Sequence, residues 1–327
     1  MSDDPGVTAA SVIPKGGALP ELELEDWEAT KDTLHLWAQI IGKIKLALTP
    51  LKNQWWNVPL YLDARGLTTR VLRQGERSFR VDLDFVEHRL ELTTDEAGSR
   101  GFELSDGLSV AAFYERLFGL LATAGIEVRI RPEPFGVPMT TPFSDDNEHA
   151  SYDAAAVERY WRALEWTYWV IEGFAGWFSG KASPVQVYWH SFDLAYTRFS
   201  GRDAPTDPGS DSVSREAYDQ EVISFGFWAG DRNTRFPAFY SYTAPEPEGL
   251  TKRMLEPAAA GWTAANGGHL AVLAYEEVRA SEDPQRDLLG FLEGAYQAGA
   301  AAADWPLDQF RSNWCPRPGE LVVLSGH

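Results

Sequence analysis

Hydrophobic spacing along the 327-residue chain passes from a helical period to a strand period and back, twice over, and that order leaves few folds open. From Trp27 the apolar residues Leu34, Trp37, Ile41, Ile44 and Leu48 recur three and four apart, with Asp26 as the expected N-cap and Pro50 as the stop. This predicts an amphipathic helix. Residues 55–69 and then Phe79, Val81, Leu83 and Phe85, alternating with Arg80, Asp82 and Asp84, read as strands. Glu87, His88 and Arg89 should turn the chain into a partner strand carrying Leu90 and Leu92. Ser109 is placed to cap a second helix that Gly125 ends ahead of a strand at Ile126–Ile130.

A proline-rich passage from Pro132 to Pro142 separates this cycle from the next. Asp153 caps a helix from Ala154 to about Phe178, and residues 183–200 form one long strand or a tight hairpin. Ile223–Gly230, Ala238–Ala244 and Ala271–Tyr275 read as strands, and Asp283-Pro284 opens a helix to about Ala303. The expectation is an α+β fold in which a unit of long helix, antiparallel β-strands and second helix is duplicated. Its divisions are a flexible N-terminal segment at 1–20, a first repeat at 21–131, a Pro-rich connection at 132–150, a second repeat at 151–303 and a tail at 304–327.

Charge narrows the partners. With 48 acidic against 29 basic residues the formal charge is −19, shared about evenly by the halves, so no basic arm is available to displace counterions from a nucleic acid. No run of about 18 apolar residues suggests a membrane span. One cysteine, Cys315, excludes an intramolecular disulfide, a zinc ribbon and a Cys-x-x-Cys redox pair. An acidic N-terminus without an apolar stretch adds to the expectation of a cytoplasmic protein. The 13 Trp, 12 Tyr and 17 Phe imply either a thick core or an aromatic-lined cavity.

Familiar signatures fail on inspection. The phosphate-loop pattern around Lys181 would need Gly where Ala175 stands and a hydroxyl where Ala182 stands. An EF-hand counted from Asp145 meets Ala150 at its obligatory glycine. His35, His88, His149, His190, His269 and His327 are too scattered for a helical metal pair, and neither a metal nor a cofactor is expected.

Chemistry-bearing side chains concentrate between Lys181 and Arg202. One continuous strand would align Tyr188, His190, Tyr196 and Arg198 on a face opposite Trp189, Asp193 and Thr197, whereas a turn near Ser191 would bring His190 and Asp193 together. Either geometry fits the sequence. Glu221, beside an apolar strand, and His190 are the expected acid/base pair; Tyr188, Trp189, Asp193, Arg198, Arg202 and His149 are the expected ligand-binding set. Glu28, Asp32, His35 and Gln39 share one face of the first helix, as either a site wall or a solvated surface. The second long helix carries aromatic residues nearly all round, from Tyr160 to Phe178, and serves as core or lines a cavity.

The segments GKASPV, SFDLAYTRFSGR, HASYD and EVISFGFW, with DTLHLWAQIIGKIKLAL and VPLYLDARGLTT, resemble a bacterial family of unknown function of about this length, over roughly Leu22 to Trp305. The resemblance brings no established chemistry. Where the family pattern carries Ser-His-Glu before Val-Ile-Ser, this chain has Asp219, Gln220 and Glu221, so the glutamate matches and the histidine does not. The function expected from the residues is binding of a small polar or ring-bearing molecule in an aromatic pocket, with acid/base chemistry of hydrolase or isomerase type as its extension. The alternative is a non-catalytic structural or subunit-interaction protein whose rings form an aromatic-rich core.

Overall fold

A computed structural model describes residues 19–312, apart from 97, 206–208, 210 and 266. Cys315, His327, the tail beyond 312 and the expected lead-in before residue 19 lie outside the described residues. In chain order the first half contains α1 (Glu28–Leu48), β1 (Tyr61–Leu62), β2 (Gly66–Thr68), β3 (Leu72–Gln74), β4 (Arg77–Asp84), β5 (Arg89–Thr94), β6 (Gly98–Glu103) and α2 (Val110–Thr123). The second half contains α3 (Ala154–Ala175), β7 (Gln186–Tyr188), β8 (Asp193–Asp203), α4 (Ser212–Ala217), β9 (Gln220–Trp228), β10 (Ala238–Ala244), β11 (Gly261–Ala265), β12 (Gly268–Ala274), α5 (Tyr275–Arg279) and α6 (Pro284–Ala302). The fold is α+β.

Each half places six antiparallel strands between two long helices. The first sheet runs β1-β2-β4-β5-β6, with β3 pairing on β4 beyond the end of β2. The second runs β11-β12-β10-β9-β8-β7, so β12 and not β11 meets β10. Their edges meet where Leu60 and Val187 exchange backbone hydrogen bonds of 2.9 Å in both directions. Helical side chains then close one contiguous core, reaching from Leu67 and Val81 in the first sheet to Phe239 on the second and Leu292 on α6.

Local chemistry explains most boundaries. The Ser109 side chain accepts from the Ala112 N–H, and Asp153 accepts from Ala155 and Ala156, each satisfying amides that open a helix without partners. Asp283 does the same for Arg286, with Pro284 in the first turn where its missing N–H costs nothing. Asp26 does not cap α1: it sits in a short 3₁₀ turn, and Trp27 takes the cap position with no side-chain bond. Packing supplies the compensation, since Leu34, Trp37, Ile41 and Ile44 are at most 1 % exposed. Ile126–Ile130 is not a strand of either sheet; after Gly125 it runs without regular secondary structure into Pro132, with Ile126 buried. α3 is core on most sides, with Tyr160, Trp161 and Trp166 buried and Trp169 emerging.

Candidate functional site

The chain turns between β7 and β8. Phe192 adopts a left-handed φ of 56° and its N–H donates to the Tyr188 carbonyl at 2.7 Å, closing a hairpin. That decides between the two geometries open in the sequence. Tyr188 pairs with Asp193, so the two side chains lie on the same face, while Tyr196 and Arg198 lie on the other. Across the neighbouring strands the register adds Ser224, Gly226 and Trp228 from β9 and Tyr240 and Tyr242 from β10 to the Asp193 face. The opposite face packs beneath α3 and α6.

Asp193 is the centre of this face. It is only 9 % exposed, and its carboxylate accepts hydrogen bonds from the hydroxyls of Ser191 and Tyr240. Gly226 makes room for that arrangement: a Cβ there would fall 2.4 Å from the Tyr240 ring and hydroxyl. The rings of Tyr240 and Tyr242 lie nearly parallel with centroids 6.3 Å apart, and Tyr218, which follows α4, shares a 3.0 Å hydroxyl hydrogen bond with Tyr242. Gln186 donates to the Tyr188 hydroxyl at 3.1 Å. Burial pushes Tyr240 and Tyr242 well above the ordinary phenol range, so they remain protonated donors near neutral pH. Burial also holds His190 below its ordinary value, against the opposing pull of Asp193. The result is a floor of phenols around one carboxylate and an imidazole.

Other residues expected at this site have different duties. Trp189 is buried against Gly42 of α1 and its indole donates to the Val58 carbonyl at 3.1 Å, so it is core and not a stacking wall. Arg198 lies under the sheet, with Nη2 donating to the Phe174 carbonyl at 2.7 Å. Glu221 is not a partner for His190. It lies seven residues along β9 from Trp228, which faces Asp193, and this places it roughly 23 Å away at the rise of an extended strand. There its Oε2 accepts from Ser200 at 2.9 Å, from Arg202 Nη2 at 2.6 Å and from the Trp305 indole at 3.0 Å. Arg202 also donates to the Ala303 carbonyl at 2.6 Å, tying down the end of α6. His149 is held at the start of α2, its Nδ1 2.8 Å from Asp146 and its carbonyl accepting from Val110.

The polar stripe of α1 is neither site wall nor solvated surface throughout. Glu28 pairs with Arg235 at the rim, but His35 and Gln39 are buried. His35 Nε2 is 3.1 Å from the Trp189 carbonyl and 3.2 Å from that of His190, and Gln39 bonds both backbone polar groups of Phe135. These two side chains hold the hairpin and the crossing segment in place. Tyr240 and Tyr242 were legible as same-face neighbours from the alternation in AFYSYTA, but not their pairing opposite β9.

A separate cleft of about 310 Å³ lies where the end of α2 meets β4–β6, beside the Arg77–Glu96 ion pair. Among the described residues no cluster of three His, Cys, Asp or Glu side chains could hold a metal ion, and no helix is long and apolar enough to cross a membrane.

Two edge-joined antiparallel sheets, helices over one core and a tyrosine-lined carboxylate on the second sheet define an α+β protein with a polar aromatic sheet face. The chain belongs to the family of unknown function DUF5996, whose model matches residues 19–312. No curated protein and no solved structure matches it.

Proposed function

We propose that the protein binds a small polar, ring-bearing molecule over the face formed by β7–β10, with Asp193 and His190 as the pair able to exchange protons with it. The observation that carries this reading is a carboxylate almost wholly buried among hydroxyl donors, without a Lys, Arg or His nitrogen within 4.0 Å among the described residues. Burying such a group without a cation is costly unless its surroundings are arranged for it, and polar groups arranged at that cost commonly mark sites. Tyr188 and Tyr240 offer rings and hydroxyls to a flat ligand, and a ligand N–H or cationic group would find its acceptor in Asp193. One cysteine in the whole chain suits a reducing cytoplasm. The same reading takes the second helix–strands–helix unit as a copy of the first whose sheet has specialised, a proposal supported by the shared order of elements.

A thermal-shift screen against metabolites tests the binding. A ligand at 100 times its dissociation constant should stabilise the folded state by about 2.7 kcal/mol. Asp193→Asn should abolish that shift, and Glu221→Gln should leave it unchanged. A structural reading has one observation in its favour, namely that both donors to Asp193 come from the protein itself. If no compound shifts the wild-type protein, the structural reading stands and the ligand site is withdrawn.

A further inference from the structure

Arg198 has no part in the face just described, yet its own surroundings suit an anion. The residue is 1 % exposed, with its guanidinium 3.7 Å from the Phe174 ring centroid and 4.4 Å from that of Tyr296. Beyond the bond to the Phe174 carbonyl, its Nε reaches the Tyr196 hydroxyl only at 3.4 Å. Those contacts use a minority of the five N–H donors a guanidinium carries. Among the described residues no carboxylate oxygen comes within 4.0 Å of it, in contrast to Arg202, which is paired with Glu221. Aromatic faces relieve part of the cost of burying the cation, but they accept no hydrogen bonds in the guanidinium plane.

A cavity of about 180 Å³ opens beside this group, between α6 and the segment after it. Its walls include Trp177, Tyr296, Leu307 and Phe310, with Gln297 as a polar neighbour. At ~30 Å³ for each water the space equals about six waters, enough for a small organic acid and too little for a nucleotide. Glu293 and Asp308 also line it, against Arg311, so a second negative charge on a ligand would meet repulsion.

We propose that this cavity is a second ligand site, for small planar monocarboxylates, in which the Arg198 fork takes the carboxylate and the aromatic walls take an apolar body. It lies on the opposite face of the sheet from Asp193 and stands or falls independently of the reading given above. The test uses the full chain labelled with nitrogen-15, following the Arg198 Nε–H resonance during titration with benzoate and, separately, with inorganic phosphate. The expected result is a saturable shift with benzoate and at least tenfold weaker binding of phosphate. Leu307→Trp, which fills the cavity and leaves Arg198 in place, should weaken benzoate at least tenfold in a protein that keeps its wild-type spectrum elsewhere. Arg198→Lys, which keeps the charge and loses the fork, should weaken it similarly. An Arg198 signal unmoved by benzoate, an equal response to phosphate, or undiminished binding in Leu307→Trp overturns the proposal.

Discussion

His35 lies inside the molecule with its ring stacked on Phe192 and Nε2 directed at the carbonyls of Trp189 and His190. Burial, reinforced by the nearby charge of Lys31, holds its pKa at about 3. Because the folded value lies below the ordinary ~6.5, the unfolded chain takes up a proton first as pH falls, and stability contributed at neutral pH is lost between about 6.5 and 3. Between pH 7 and pH 5 the loss from this one group is about 2 kcal/mol. His35→Gln keeps a donor and cannot titrate, so urea unfolding should show a pH 7 to pH 5 difference smaller by about that amount. Equal pH dependence in the two proteins would contradict the assignment. Glu221→Gln, by contrast, affects a pair whose side chains are 45 % and 24 % exposed, and should cost no more than about 1 kcal/mol in the same melts. Residue types alone could not separate these cases. The turn that brings His190 and Asp193 together was one of two geometries open in the sequence and is decided by the hairpin at Phe192, whereas the position of Glu221 depended on which end of β9 meets that turn.

At the scale of elements, one contact positions the candidate site: α1 against the β7–β8 hairpin. Gly42 is what permits it, since a Cβ there would lie 2.2 Å from the Trp189 ring. Gly42→Ala should therefore destabilise by ~1–3 kcal/mol through overpacking, measured by denaturant melts. It should also weaken ligand binding at the face, because Trp189 directly precedes His190. A variant as stable as the wild type would show that the hairpin does not depend on this seat. Three of the long helices, α2, α3 and α6, were readable because helical periodicity coincides with caps at Ser109, Asp153 and Asp283, and α1 by its periodicity alone. Short elements were not: β3, α4 and β11 are specified by pairing partners and neighbouring loops more than by their own pattern. Ile126–Ile130 shows the converse, having a strand-like composition yet pairing with neither sheet.

At the scale of the whole molecule, one contiguous core and the single backbone bridge between Leu60 and Val187 couple the halves. Loss of either half would expose apolar surface of the other, so unfolding in urea should be a single transition, with tryptophan fluorescence and far-ultraviolet circular dichroism superimposing. Two separated transitions would contradict this coupling. The twofold order of elements was visible along the chain, but the edge-to-edge union at Leu60 and Val187 was not, because a single bridge between residues far apart leaves no periodic trace. The Asp193 face also depends on that long-range order, as β10 must lie beside β9 before its tyrosines can reach the hairpin. A crystal of the protein grown with the strongest compound from the metabolite screen tests this most directly. The ligand should lie over Tyr188 and Tyr240 within hydrogen-bond reach of the Asp193 carboxylate; a ligand seated elsewhere, with that face empty, would contradict the account.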